Sequence, residues 1–272
     1  MFPTQFPELN NLIPDFVASH REILGHNMIG FYLQGSAAVG DMDEHSDVDF
    51  IVVTERNLNH IEMADLQKMH TDFFDRTAEN QWAEHFEGSY FPIDVLQTFD
   101  QPETKLVYID NGSSTLEMNT HCNTLVVRWC LREMGVTLAG PDPETLLDPI
   151  PIDQMKDEVK KVMFDWEGWI YDDMEMYSNR FFQTFIVLTY SRMLQTLATG
   201  QVFSKPAGVQ WAVENLDEEW HDLITSAHAV RDDAAINVYT PADPAVLNRT
   251  LEFVTYANKI AETTMSQEQT HV

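Results

Sequence analysis

One stretch constrains this chain more than any other: Gly30 to Gly40, then the acidic turn Asp41 to His45, then Ser46 to Val53. Phe31-Tyr32-Leu33 is a short aromatic and aliphatic run stopped by Gly35, and Val48, Phe50 and Val52 alternate with Asp47, Asp49 and Ile51. This pattern predicts strand, tight Gly-Ser turn, short connection, strand. Side chains on a strand alternate faces, so Asp47 and Asp49 leave the same face, close enough to share a cation. Two like charges held that close are unfavourable unless something positive sits between them. A hard divalent ion such as Mg²⁺, bound by carboxylates and substrate phosphates, meets that need. Gly35 lets the backbone approach a phosphate with no Cβ in the way, and Ser36 adds a hydroxyl and an N–H at an expected helix N-terminus. Phosphate cradle and metal pair are therefore neighbours in sequence, as phosphoryl chemistry requires.

Composition narrows the class. At 272 residues, with 44% hydrophobic and 11% aromatic content, the chain has room for one large or two ordinary globular domains. No apolar stretch approaches bilayer-spanning length, and Met1-Phe2-Pro3-Thr4-Gln5 has no basic region followed by an apolar one, so a cytoplasmic protein is expected. Cys122 and Cys130 read as buried thiols on one helix, about two turns apart and unable to bridge. His121 beside Cys122 has no second ligand at metal-binding spacing. The net charge of −28, from 44 acidic and 16 basic residues, repels nucleic acid and favours small cationic partners. Adaptation to salt would produce the same imbalance.

Along the chain, residues 5 to 28 read as a helix, or a pair of helices interrupted near Pro14. Leu58 to Phe74 has helical spacing with Asn57 as cap, and Asp75 to Gly88 reads as a polar loop. Ser89 to Leu96 reads as a third strand carrying Asp94 amid apolar neighbours, either a costly buried charge or a functional group, with Glu87 just before it as the fallback. Asn119 to Met134 looks helical and ends at Gly135. The Pro- and Gly-rich passage from Ala139 to Pro151 marks an expected boundary between domains 1–150 and 151–272. Beyond it, helical periodicity covers 153–176, 179–199, 204–216, 217–230 and 243–266, with a cap at Thr240-Pro241-Ala242-Asp243. Trp166, Trp169, Phe181, Phe182 and Phe185 are expected in its core.

Gly-Ser followed by Asp-x-Asp at the start of an apolar strand resembles the nucleotidyltransferase superfamily of the DNA polymerase β type. Phe185 to Gly200, then Ser204-Lys205 and Trp211-Ala212, resembles the C-terminal domain of the aminoglycoside 3''- and 9-adenylyltransferases. The resemblance implies an α+β fold, with a small mixed-sheet domain followed by an all-helical bundle. It also implies that Gly35, Ser36 and Ser46 hold the triphosphate of ATP, that Asp47 and Asp49 bind Mg²⁺, and that Arg192 and Lys205 supply cations to the phosphates. A third carboxylate on an adjacent strand, Asp94, is expected as metal ligand or general base. The resistance enzymes have Glu where this chain has Asp94, a shorter side chain with less reach. Where they grip the drug with acidic residues, this chain has Ser178, Asn179, Arg180, Phe181 and Phe182, which makes streptomycin and spectinomycin doubtful acceptors. Asp172, Asp173 and Glu175 could still attract a cation, or simply form a solvated face.

The function expected is transfer of AMP from ATP, with Mg²⁺, to a hydroxyl of a small molecule of the aminoglycoside-antibiotic type. Two alternatives are a nucleotide-binding regulatory module without turnover and an adenylyltransferase that modifies proteins.

Overall fold

The structure, a computed structural model of the chain, describes residues 4–44, 46–231 and 238–268, with side chains to residue 263. Met1 to Pro3, His45 of the acidic turn, and the last side chains of the expected 243–266 helix lie outside the described residues. The chain forms two compact units, Met1–Ile150 and Pro151–Val272. No described helix is long and apolar enough to cross a membrane.

The first unit is a six-stranded mixed sheet. Its strands are β1 (Met28–Leu33), β2 (Val48–Thr54), β3 (Phe86–Pro92), β4 (Leu106–Ile109), β5 (Glu117–Asn119) and β6 (Val136–Ala139), in the order β5-β4-β3-β2-β1-β6. Only β2 and β3 run parallel; the other pairs are antiparallel. Helix α1 (Pro7–Leu24) and α3 (His60–Phe74) pack on the face that carries Phe31, Phe50, Val52, Phe86 and Tyr90. Phe16 of α1 is wedged into it, stacked on Phe86 at 3.9 Å. The opposite face carries Tyr32, Ile51, Val53, Phe91 and Tyr108, with Leu96 of α4 (Ile93–Gln97) and Leu131 of α5 (Leu125–Met134) packed among them.

Several local expectations need correction. Pro14 does not split the first helix: α1 runs through it without a break. Proline inside a helix costs about 3 kcal/mol, whereas Leu9, Leu12, Ile13, Phe16 and Leu24 are buried on both sides of it, each contributing about 1.5–3 kcal/mol. The cap of α3 is Asn59, not Asn57. Asn59 Oδ1 accepts from the backbone N–H groups of Ile61 and Glu62, and the Glu62 carboxylate accepts from the N–H of Asn59. Cys122 is not on α5, because Thr124 caps that helix by accepting from Val127 N–H at 3.1 Å; Cys122 is buried, Cys130 is only half-buried, and neither is in a disulfide.

The second unit is helical: α6 (Ile152–Asp172), α7 (Met174–Tyr177), α8 (Arg180–Thr199), α9 (Lys205–Asn215), α10 (His221–Val230) and α11 (Pro244–Glu268). Its centre is α8, which buries Ile186, Val187, Leu188, Tyr190 and Leu194 and packs against α6, α9, α10 and α11. Gly200 ends α8 at φ +69, a left-handed cap that glycine adopts without a Cβ penalty. Asp243 caps α11 through Ala245 N–H, with Pro244 in its first turn. The aromatics expected in the core are not fully buried: Trp169 is 54% and Phe181 40% exposed, and Trp166, Phe182 and Phe185 are half-buried around them.

Candidate active site

The parallel pairing of β2 with β3 sets Asp49 against Glu87. The antiparallel pairing of β1 with β2, extended by the bond from Gln34 N–H to the Asp49 carbonyl, sets Gln34 on the other side of Asp49. Paired residues share a face of the sheet, so Asp49 and Glu87 present their carboxyls side by side, with Asp47 just before the strand. Asn111 donates from Nδ2 to Asp47 Oδ1, and its own Oδ1 lies 3.1 Å from His85 Nδ1. Glu87 Oε1 accepts from the Tyr108 hydroxyl at 2.7 Å and lies 3.6 Å from His121 Nε2. Tyr108 also reaches Asp110 Oδ1 at 2.9 Å.

The Gly-Ser bend is built against this pair. Gly35 opens the short helix α2 (Gly35–Val39) at φ +59, and a Cβ on it would overlap Asp49 Oδ2. Glycine is required there twice, by the left-handed backbone and by the carboxylate lying against its Cα. Ser46, buried at 7% exposure, closes the acidic turn: its hydroxyl donates to Asp43 Oδ1 and accepts from Asp43 N–H, both at 3.0 Å. Its side chain thereby fixes the turn that delivers Asp47.

Burial pushes the Glu87 carboxyl up to about 8; the Tyr108 hydrogen bond opposes this, while Asp49, Asp47 and Asp110 push it further. Burial also raises the Cys122 thiol to about 12, opposed by the Ser89 hydroxyl and reinforced by Glu87 and Asp49, which rules out a thiolate nucleophile below the site. Asp47, Asp49 and Glu87 are hard oxygen donors of the kind that suits Mg²⁺, but among the described residues no three metal-ligating side chains are gathered closely enough to hold an ion as they stand.

Asp94 does not join this group. Pro92 ends β3, and Asp94 stands exposed in the first turn of α4 with Oδ1 accepting from Val95 N–H at 2.9 Å. Because Val48 pairs with Phe86 and Thr54 with Pro92, Asp94 lies past the far end of β3 from Asp47 and Asp49. At roughly 3.3 Å per residue that end is about 20 Å away. The carboxylate on the adjacent strand is Glu87. Its signal was in the sequence: Glu87, Ser89 and Phe91 alternate with Phe86, Gly88 and Tyr90.

In the helical unit, Arg192 Nε donates to the Phe203 carbonyl at 3.0 Å and the Arg192 stem packs against Gly208. This holds Arg192 beside the first turn of α9, whose first residue is Lys205.

Carboxylates on two parallel strands, a Gly-Ser bend against one of them, and a separate all-helical unit later in the chain define a nucleotidyltransferase. Residues 17–116 match the family model described as a nucleotidyltransferase domain, and residues 145–255 match that of the aminoglycoside adenylyltransferase C-terminal domain. The chain thus carries a nucleotidyltransferase domain followed by an aminoglycoside adenylyltransferase C-terminal domain, and over most of its length it is similar to the aminoglycoside 3''/9-adenylyltransferases. A spectinomycin 9-adenylyltransferase of Campylobacter jejuni is 24% identical over 82% of this chain and 84% of its own length. An aminoglycoside (3'') (9) adenylyltransferase of Shigella flexneri is 22% identical over 81% and 84%. The fold is shared with a spectinomycin adenyltransferase from Enterococcus faecialis, solved with ATP and spectinomycin, at a TM-score of 0.67 and 18% identity, covering 92% of this chain and 98% of that one.

Proposed function

We propose that this enzyme transfers AMP from ATP to a hydroxyl of an aminoglycoside-type antibiotic and so confers resistance to it. The observation that carries this reading is the register of β2 on β3, which faces Asp49 with Glu87 beside the Gly35-Ser36 bend. Asp47 and Asp49 would hold Mg²⁺, which when bound neutralises charge on the triphosphate. Gly35 and Ser36 offer backbone N–H groups to phosphate oxygens, and Ser46 keeps the acidic turn in place beside them. We assign Glu87 as general base: its partly buried carboxyl takes the proton of the acceptor hydroxyl as that oxygen attacks the α-phosphorus. With Glu87 in this role, the departure noted for Asp94 disappears, because the resistance enzymes also have Glu. Arg192, bonded to the Phe203 carbonyl, and Lys205, the first residue of α9, are the cations we assign to the departing pyrophosphate. Cysteines outside any disulfide and the use of ATP proposed here fit a cytoplasmic enzyme.

The test is pyrophosphate release from ATP with Mg²⁺ and a panel of aminoglycosides that includes spectinomycin and streptomycin. Release that requires both the antibiotic and the metal supports the reading. Mg²⁺-dependent ATP binding with no turnover on any member would reject the acceptor class.

A further inference from the structure

Among the described residues, the side-chain hydrogen bond to Glu87 and its ion-pair contact both fall on the same oxygen, Oε1: the Tyr108 hydroxyl at 2.7 Å and His121 Nε2 at 3.6 Å. Oε2 is therefore the oxygen left to meet another molecule. The two contacts differ in firmness. His121 is exposed, whereas Tyr108 is 4% exposed, its ring packed in the cluster of Tyr32, Ile51, Phe91 and Leu106. A phenol fixed in a close-packed core points its hydroxyl in one direction only. Its single proton faces two carboxylates, Glu87 and Asp110. Asp110 lies at the exposed end of β4 and can take hydrogen bonds from water, while Glu87, 15% exposed, has fewer such substitutes. The proton is better used on Glu87.

We propose that Tyr108 is the positioning residue for the general base, holding Glu87 Oε1 so that Oε2 faces the acceptor hydroxyl; this rests on the assignment of Glu87 as base. In the step so served, the acceptor O–H proton passes to Glu87 Oε2 and the acceptor oxygen forms a bond to the α-phosphorus. The bond from that phosphorus to the bridging oxygen of the β-phosphate breaks, and pyrophosphate leaves with the electron pair. Tyr108 keeps its own proton throughout.

The test is Tyr108→Phe, which removes one oxygen from a ring whose packing is otherwise unchanged. With the best aminoglycoside of the panel, kcat should fall by on the order of tenfold to a hundredfold, the scale on which misplacing a reacting group by about 1 Å acts. KM for ATP should stay near wild type, and the melting temperature should drop only modestly, by the loss of one partly buried hydrogen bond. In the Glu87→Gln background, adding Tyr108→Phe should cost nothing further. Wild-type kcat in Tyr108→Phe while Glu87→Gln is inactive overturns the positioning role and leaves the base intact. Full activity of Glu87→Gln overturns the base assignment and this inference with it. An equal additional loss in the double variant assigns Tyr108 to folding instead. A second measurement needs no turnover: in crystals of Tyr108→Phe the Glu87 carboxylate should leave its wild-type orientation, and an unmoved carboxylate counts against the proposal.

Discussion

The Cα of Gly35 lies against the carboxylate of Asp49, so closely that any side chain at position 35 would displace Oδ2. The Gly-Ser bend and β2 are thus one packed unit, joined also by the bond from Gln34 N–H to the Asp49 carbonyl at 3.0 Å. Gly35→Ala introduces both this overlap and a left-handed backbone at φ +59, a conformation costing roughly 1–2 kcal/mol for a residue with a Cβ. The variant should remain folded, with a melting temperature lowered by several degrees. Its ATP-dependent pyrophosphate release should drop by about a hundredfold or more, since Asp49 is moved from its place. Differential scanning fluorimetry and the release assay check the two halves separately.

The choice between Glu87 and Asp94 can be decided by two substitutions of equal size. Glu87→Gln removes the carboxylate that faces Asp49 across β2 and β3, and kcat should fall by about 10²–10⁴, the range of general acid–base contributions. Asp94→Asn alters an exposed side chain whose one partner is the adjacent Val95 N–H, so kcat should stay within about twofold of wild type. A collapse in Asp94→Asn with activity retained in Glu87→Gln would reverse the assignment.

Carboxylates this close repel one another, and a bound cation would relieve that repulsion. Glu87 is pushed up to about 8, first by its burial, with the Tyr108 hydrogen bond opposing and Asp49, Asp47 and Asp110 adding to the rise. Mg²⁺ with ATP should therefore raise the melting temperature, by the equivalent of about 2.7 kcal/mol when the ligand is at 100 times its dissociation constant. Asp47→Asn should abolish most of that gain and leave the ligand-free protein at least as stable as wild type, because one like charge is gone. Thermal shift with and without EDTA measures both effects.

How much of this was legible beforehand depended on the reach of each signal. The first two strands and the bend were readable because Asp47, Asp49 and Gly35 act through local alternation and local backbone freedom. The bundle was readable because 3.6-residue periodicity, Gly200 and the Ser204 cap are local too. Glu87 and Asp94 could not be ranked that way. Ile93-Asp94-Val95-Leu96 alternates like a strand, and only the long-range pairing of Val48 with Phe86 settles which carboxylate meets Asp49. Tyr108, Asn111 and His121 come from β4 and the connections around β5, and no local pattern announces that they surround Glu87 and Asp47. The exposure of Trp169 and Phe181 escaped for a similar reason, as an aromatic at helical spacing does not tell which face its neighbours leave open.

Behind the site, a buried triad makes stability depend on pH. His20 Nδ1 meets the Phe16 carbonyl at 2.7 Å, and since a carbonyl only accepts, Nδ1 carries the proton. His20 Nε2 then accepts from the Tyr90 hydroxyl at 2.7 Å, and His70 Nε2–H donates to the same oxygen at 2.7 Å. Both rings are neutral. Burial pulls His20 from 6.5 down to about 4, with the Phe16 bond opposing, and burial followed by the nearness of His20 pulls His70 down as well. Between pH 6.5 and 4 the unfolded chain binds protons that the folded chain refuses. The stability is therefore fully present above pH 6.5 and is lost on acidification, at about 1.4 kcal/mol per pH unit for each histidine. His70→Gln retains an N–H donor for Tyr90 but does not titrate. Its stability at pH 7.5 should fall modestly, and its decline from pH 6.5 to 5 should be shallower than wild type by about 1.4 kcal/mol per unit. Urea unfolding across that range measures both slopes, and parallel curves for the two proteins would place the acid sensitivity elsewhere.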